Sequence, residues 1–337
     1  MTTLQKMLLV ACGCLFAVVV QGQHAPRRTA VAGRAERLPG LKDWFLATGN
    51  WHNDPQLYVL EWGTGADTVV MLHGGWGGDH SGMLEAVKGL ENQYHFVFYD
   101  QRGSLRSPFP DSLITFNHHI GDLELLRKAL GLEKLTLVGH SMGAVLAGAY
   151  AAKYPARIGQ LILAAPAPLK NPLPEADQAL QHQGQQAAQA FLNRPAVTQE
   201  LNKYGLNRKA PALSSPEETS RFRIEFAKRM LYDVGKWPRL TGGRALYKGN
   251  VFELTAKTYP PSGWDYVQAF AKGAYPVSII AADHDFLDFN NLLARRWARE
   301  VPRLKLSVVE KAGHLLWVDQ PEAFAKLLVE HLERKKD

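Results

Sequence analysis

Short, unbroken apolar runs alternate with stretches of helical spacing from residue 56 to residue 165, and that order narrows sharply what this chain can fold into. The runs at 56–62, 68–72, 96–99, 135–138 and 161–164 read as strands, while 83–90, 120–130 and 142–153 carry apolar residues at helical intervals. Several of the strand runs show no polar alternation, as expected when both faces of a strand are covered. The pattern predicts an α/β protein whose mostly parallel sheet lies between two helical layers.

The alternation stops after Ala165 and resumes near residue 275, with strands expected at 277–281 and 304–309 and helices at 290–300 and from Pro321 onward. The span 166–274 opens on Pro166, Pro168, Pro172 and Pro174 and then carries helical signals. Ser215-Pro216-Glu217-Glu218 reads as a helix start, with Ser215 as the cap, Pro216 at the first helical position and Glu218 three residues after the serine. This span predicts a mainly helical cap inserted into a core made of residues 41–165 and 275–337. A chain of 337 residues, 46% apolar and 21% charged, has the material for such a core.

Residues 1–22 differ from the rest: Lys6 precedes an apolar stretch from Met7 to Val20, and Gln-Gly-Gln follows. That is the form of a signal peptide, too short in its apolar part for a comfortable membrane span, and it predicts a secreted or periplasmic protein. Leu9-Val10-Ala11-Cys12 also resembles a lipid-attachment signal, so an anchor at Cys12 is the alternative. Both cysteines, Cys12 and Cys14, lie in this leader. The mature chain would then hold no disulfide, cysteine nucleophile or thiolate metal site. Residues 23–40, rich in Ala, Arg, Gly and Pro, read as a flexible tether. The formal charge of +7 is spread along the chain without a nucleic-acid motif, and it reads as solvated surface.

Gly139-His140-Ser141-Met142-Gly143 sits where a strand run meets a helical run. A turn that sharp leaves no room for side chains beside the serine, and it lifts the hydroxyl above the sheet at a helix N-terminus. A serine hydroxyl needs a base at neutral pH, and the base needs an orienting partner. His314, in the Gly-His pair after the last strand, is the expected base. Asp283, Asp285 and Asp288 follow the strand at 277–281; any of them also reads as a turn residue bonding its own backbone. His73-Gly74-Gly75-Trp76-Gly77-Gly78 ends a strand in a loop that lets backbone N–H groups approach closely, and it lacks the Lys-Ser/Thr ending of a phosphate loop. The amides of Gly75 and Met142 are assigned to an oxyanion hole, and Trp76 and His140 to substrate contact. No metal or organic cofactor is expected: the histidines lack ligand spacing, and neighbours such as His118 and His119 point apart.

These residues resemble the α/β-hydrolase superfamily, in which nucleophile, acid and histidine follow in that chain order. The segment 73–78 is similar to the His-Gly-Gly-Pro-Gly-Gly of proline iminopeptidases, and Asp100-Gln101-Arg102-Gly103-Ser104-Leu105-Arg106-Ser107 to their Asp-Gln-Arg-Gly-Ser-Gly-x-Ser. The resemblance spans roughly residues 50–333. It implies the α/β-hydrolase fold with an inserted cap, and it selects Asp285, three residues past Ala282, as the acid. It departs in two places. Proline iminopeptidases typically carry Gly-Gly-Ser-Trp-Gly at the nucleophile, and a Trp-x-x-Trp-Glu cap segment, absent here, supplies their amine-binding acid. Glu217, Glu218, Glu225 and Asp233 are the cap carboxylates that could replace it. The expected activity is a serine hydrolase releasing N-terminal proline or a similar residue from small peptides. Carboxylester hydrolysis is the alternative, and a non-catalytic binding protein of the same fold a minor one. The expected partner is a small molecule or short peptide, with no nucleic acid and no membrane span.

Overall fold

The computed structural model describes residues 40–49, 55–208, 213–241 and 248–334. The leader expected at 1–22 and the tether expected at 23–40 lie outside the described residues, save Gly40. Among the described residues the strands are β1 Leu41–Ala47, β2 Gln56–Trp62, β3 Asp67–Leu72, β4 Tyr94–Tyr99, β5 Leu135–His140, β6 Ile158–Ala164, β7 Lys170–Asn171, β8 Trp264–Asp265, β9 Val277–Ala282 and β10 Leu304–Val309. All but β7 and β8 join one sheet in the order β1-β2-β4-β3-β5-β6-β9-β10. β1 and β2 run antiparallel at one edge, and every pairing from β4 to β10 is parallel. β5 and β9 are buried along their whole length, whereas β1, at the edge, alternates. The contrast follows from cover on two faces against cover on one.

The helices are α1 Ser81–Val87, α2 Phe116–Ala129, α3 Met142–Lys153, α4 Glu175–Leu192, α5 Ala196–Lys203, α6 Ser215–Met230, α7 Gly249–Ala256, α8 Tyr266–Lys272, α9 Leu292–Glu300, α10 Leu316–Asp319 and α11 Pro321–Glu333. α2, α3, α8 and α9 share one apolar cluster with the sheet, and α1, α10 and α11 share the other. α3, built mainly from Ala and Gly, is buried from Gly143 to Ala151. A Cβ on Gly143 would lie 2.2 Å from the Leu72 carbonyl oxygen, and one on Gly148 would enter the Tyr266 ring at 2.7 Å. Small residues therefore let α3 lie close to β3 on one side and to α8 on the other.

β3 is flanked by β4 and β5, so the chain leaves β3 toward one side and β5 toward the other. Such a reversal opens a crevice at the carboxyl ends of the two strands, where ligands bind in folds of this class. His73 to Gly78 follow β3 and Ser141 follows β5, so both motifs sit on that rim.

Three expectations need adjusting. α6 is capped by Ser214 rather than Ser215: the amide and hydroxyl of Ser214 both donate to Glu217, at 2.7 and 2.8 Å. Ser214 and Glu217 have the same serine-to-acid spacing as the expected pair, and this pair is the one that closes. The helix expected from Asn290 starts at Leu292, because Asn290 and Asn291 both take left-handed backbone angles. The boundary drawn at residue 274 also includes α8, whose Tyr266, Val267 and Phe270 belong to the core cluster against α3.

Candidate functional site

Ser141 follows β5 with φ 54° and ψ −119° and caps α3, a conformation non-glycine residues rarely adopt. Crowding requires glycine at 139 in the elbow and at 74 in the facing loop. A Cβ on Gly139 would lie 2.5 Å from the Gly143 carbonyl oxygen, and one on Gly74 would lie 2.7 Å from Ser141 Cβ. Met142 is the first residue of α3, so its N–H has no intrahelical partner and stands at the positive end of the helix. Gly75 has φ 68°, which a side chain would strain.

His314 is 4% exposed, in the loop after β10, and its Nδ1 lies 2.9 Å from Asp285 Oδ1 and 3.1 Å from Oδ2. Asp285 is itself 2% exposed, in the loop after β9. Of the three acids the sequence left open, this is the one that meets the histidine. Asp283 accepts the amides of Lys311 and Ala312 at 2.9 and 3.1 Å, pinning the loop that leads to His314. Asp288 accepts the Leu293 and Ala294 amides, both at 2.8 Å, and so starts α9; burial pushes its carboxyl up to about 6. With Nδ1 donating to Asp285, the imidazole presents Nε2 as its basic nitrogen.

Neither residue assigned to substrate contact is free for it. Trp76 is completely buried: its Nε1 donates to the Tyr259 hydroxyl at 2.7 Å, and its ring stacks on His119 at 4.6 Å. An indole this enclosed wedges the glycine loop onto α2 and leaves no face for a ligand. His140 is 5% exposed, its ring 4.6 Å from the His314 ring and 4.8 Å from Trp317. Its Nε2 donates to the main-chain oxygen of His314 at 3.0 Å. Burial, reinforced by the charge His314 can carry, holds the His140 imidazole well below its ordinary value. Neutral His140 thus supports the backbone of His314.

The Asp100–Ser107 segment supports the glycine loop. Gln101 donates its amide to His73 Nε2 at 3.1 Å and its side-chain nitrogen to the His73 carbonyl at 2.9 Å. Ser104 Oγ donates to the Gly78 carbonyl at 2.5 Å. Asp100, fully buried, accepts the amide and Nδ1 of His80 at 3.0 and 2.6 Å and pairs with Arg106. Burial would raise the Asp100 carboxyl, but the His80 bonds outweigh it and hold the group low. Burial also lowers His73, and its Nε2 serves as an acceptor, so Nδ1 carries the proton toward the Gly74 carbonyl.

Two residues near His314 escape sequence reasoning. Phe286 sets its ring edgewise 5.0 Å from that of His314. Asp319 accepts the Gly313 amide at 2.8 Å. The legible signal for the second was an acid closing the apolar run Leu315 to Val318. Among the described residues no group of three His, Cys, Asp or Glu could hold a metal ion. Nor is any described helix long and apolar enough to cross a membrane.

Comparison with known proteins agrees with this architecture. Abhydrolase domain-containing protein abhd-5.2 of Caenorhabditis elegans is 28% identical over 80% of this chain, which spans 59% of that protein. A proline iminopeptidase of Saccharolobus solfataricus is 25% identical over 79% of this chain and 84% of its own length. The structure of a thermophilic esterase from Thermogutta terrifontis superposes with a TM-score of 0.58 at 20% identity, covering 88% of this chain and all of the esterase. Residues 67–321 match the family described by the alpha/beta hydrolase fold, a span that contains every strand of the sheet from β3 onward and the whole crevice rim. The chain is therefore a member of the alpha/beta hydrolase fold family.

Proposed function

We propose that this hydrolase works through an acyl-enzyme on Ser141. The observation that carries the reading is the buried Asp285–His314 pair, in chain order after a serine held in a strained elbow. Ser141 Oγ attacks the acyl carbonyl carbon and passes its proton to His314 Nε2. The oxyanion that forms is held by the amides of Gly75 and Met142. The leaving group takes the proton from His314 as its bond to the acyl carbon breaks. Water, deprotonated by the same nitrogen, then releases the acid and restores Ser141.

For the substrate, the surroundings favour a neutral carboxylester. An amine-binding acid must be free to meet an ammonium, and three of the four cap candidates are engaged. Glu217 is held by Ser214 and Arg208, Glu225 by Arg221 at 3.0 Å, and Asp233 by the Gly235 amide at 2.9 Å. The rings nearest His314 belong to Phe286 and His140. Release of N-terminal proline is the second reading, supported by the two motifs at 73–78 and 100–107 and by the archaeal iminopeptidase relative. The composition of residues 1–22 supports action outside the cytoplasm.

Labelling with a fluorophosphonate probe tests the nucleophile: Ser141→Ala is expected to abolish it, and labelling at the parental rate sinks the assignment. A panel of short-chain aryl esters and prolyl-arylamide separates the substrates. Ester turnover is expected to exceed arylamide turnover by at least about a hundredfold in kcat/KM, a gap of about 2.7 kcal/mol.

A further inference from the structure

Asp319 closes the short helix α10 and is 1% exposed. A carboxylate at that depth persists only when its oxygens are hydrogen-bonded. Three backbone N–H groups meet it: Gly313 at 2.8 Å and Tyr232 at 2.7 Å on Oδ2, and Asp233 at 3.1 Å on Oδ1. Gly313 immediately precedes His314. Tyr232 and Asp233 belong to the inserted span, just past the end of α6.

The same two segments are joined at further points. Leu315 donates its amide to the Met230 carbonyl at 3.0 Å, Lys236 Nζ donates to the Asp319 carbonyl, and Arg239 Nη1 donates to the Val318 carbonyl at 3.0 Å. The contact has no slack, for a Cβ on Gly313 would lie 2.7 Å from the Met230 carbonyl oxygen. Burial pushes the Asp319 carboxyl up, and the Gly313, Tyr232 and Asp233 amides oppose that rise.

We propose that Asp319 is a positioning residue: its carboxylate locks the loop that carries His314 in register with the turn after α6, so that the base and the inserted helical span hold one geometry. This rests on the reading of Ser141 and His314 given above. Asp285 orients the imidazole through its ring, and His140 and Asp319 hold the backbone from which the ring projects. A base displaced by a fraction of an ångström loses rate while substrate binding is little changed.

The test uses the full chain in three variants, Ser141→Ala, Asp319→Asn and Asp319→Ala, with aryl-ester kinetics, fluorophosphonate labelling rate and Tm measured on each. In Asp319→Asn the new NH2 meets the Asp233 amide if it replaces Oδ1 and the Gly313 and Tyr232 amides if it replaces Oδ2, so one or two anchors are lost without a change of shape. The expected result is a kcat about tenfold lower in Asp319→Asn and about a hundredfold lower in Asp319→Ala, with KM within about twofold. The labelling rate should fall in parallel, well below the Tm of each variant. If Asp319→Ala fails to fold, the isosteric Asp319→Asn decides the matter alone. Parental kcat and labelling rate in Asp319→Asn, with or without a lower Tm, overturn the positioning role. Undiminished labelling of Ser141→Ala overturns instead the nucleophile reading beneath it.

Discussion

Three acids on one turn end up with three different partners, and the difference lies in what each carboxylate faces. Asp285 faces an imidazole, Asp283 two amides of the loop before His314, and Asp288 the first amides of α9. Asp285→Asn is expected to lower kcat by about ten-thousandfold, because an amide nitrogen presented to Nδ1 favours the wrong tautomer. Asp283→Asn should cost about 1 to 2 kcal/mol of stability and leave kcat within about threefold, as read by urea denaturation and ester turnover. The places of Ser141 and Gly75 at the carboxyl ends of β5 and β3 were legible because a crowded elbow and a positive φ each demand glycine at a fixed place, and that of His314 because a Gly-His pair follows the last strand. Trp76 and His140 were misread because their neighbours fix their burial: Tyr259 and His119 enclose one, Trp317 and His314 the other. Adjacency to a motif along the chain says nothing of which way a side chain turns.

Among the elements, seven of the ten described strands were legible, β1, β7 and β8 were not, and ends were poorly marked. The runs at 56–62 and 304–309 coincide with β2 and β10, but β6 starts at Ile158, three residues before the apolar run that marked it. Those added residues pair with β5 across an irregular register, a tertiary cause that leaves no local trace. How the inserted span is fastened to the core was equally invisible. Asp177 on α4, fully buried, takes Arg296 Nε at 2.6 Å and Trp297 Nε1 at 3.0 Å from α9, with Lys170 Nζ at 3.7 Å. Lys170 also donates to Glu300 at 2.6 Å. Without Asp177 the buried Trp297 Nε1 loses its acceptor, while Lys170 and Arg296 keep Glu300. Asp177→Ala should therefore destabilise the protein by about 1 to 3 kcal/mol, seen as a shifted urea midpoint.

At the scale of the whole molecule, the strand order places the crevice, and alternation along the chain was enough to announce an α/β sheet. The reversal at β3 was not legible, since it depends on which side each crossover takes. One titration in the core bears on the molecule as a unit. His331 on α11 is buried against β10, its Nε2 3.1 Å from Ser307 Oγ, and burial pushes it down to about 4 from its ordinary 6.5. Between those values the unfolded chain binds a proton that the folded one refuses, so the contribution of His331 to stability is complete above about pH 6.5 and is lost as pH drops toward 4. The gap in urea midpoint between the parent and His331→Gln should therefore shift against the parent as pH falls through that window. A last consequence follows from β7 and β8, whose pairing sets Lys170 beside Asp265 and Asn171 beside Trp264. The excursion from residue 172 to residue 263 begins and ends at one stapled stem, so its length costs the core little closure entropy. Residues 172–263 thus leave and rejoin the core at one stem, and another segment spliced onto it would have to replace Asp177 beneath Arg296 and Trp297, the Tyr259 hydroxyl at Trp76, and the two backbone donors to Asp319.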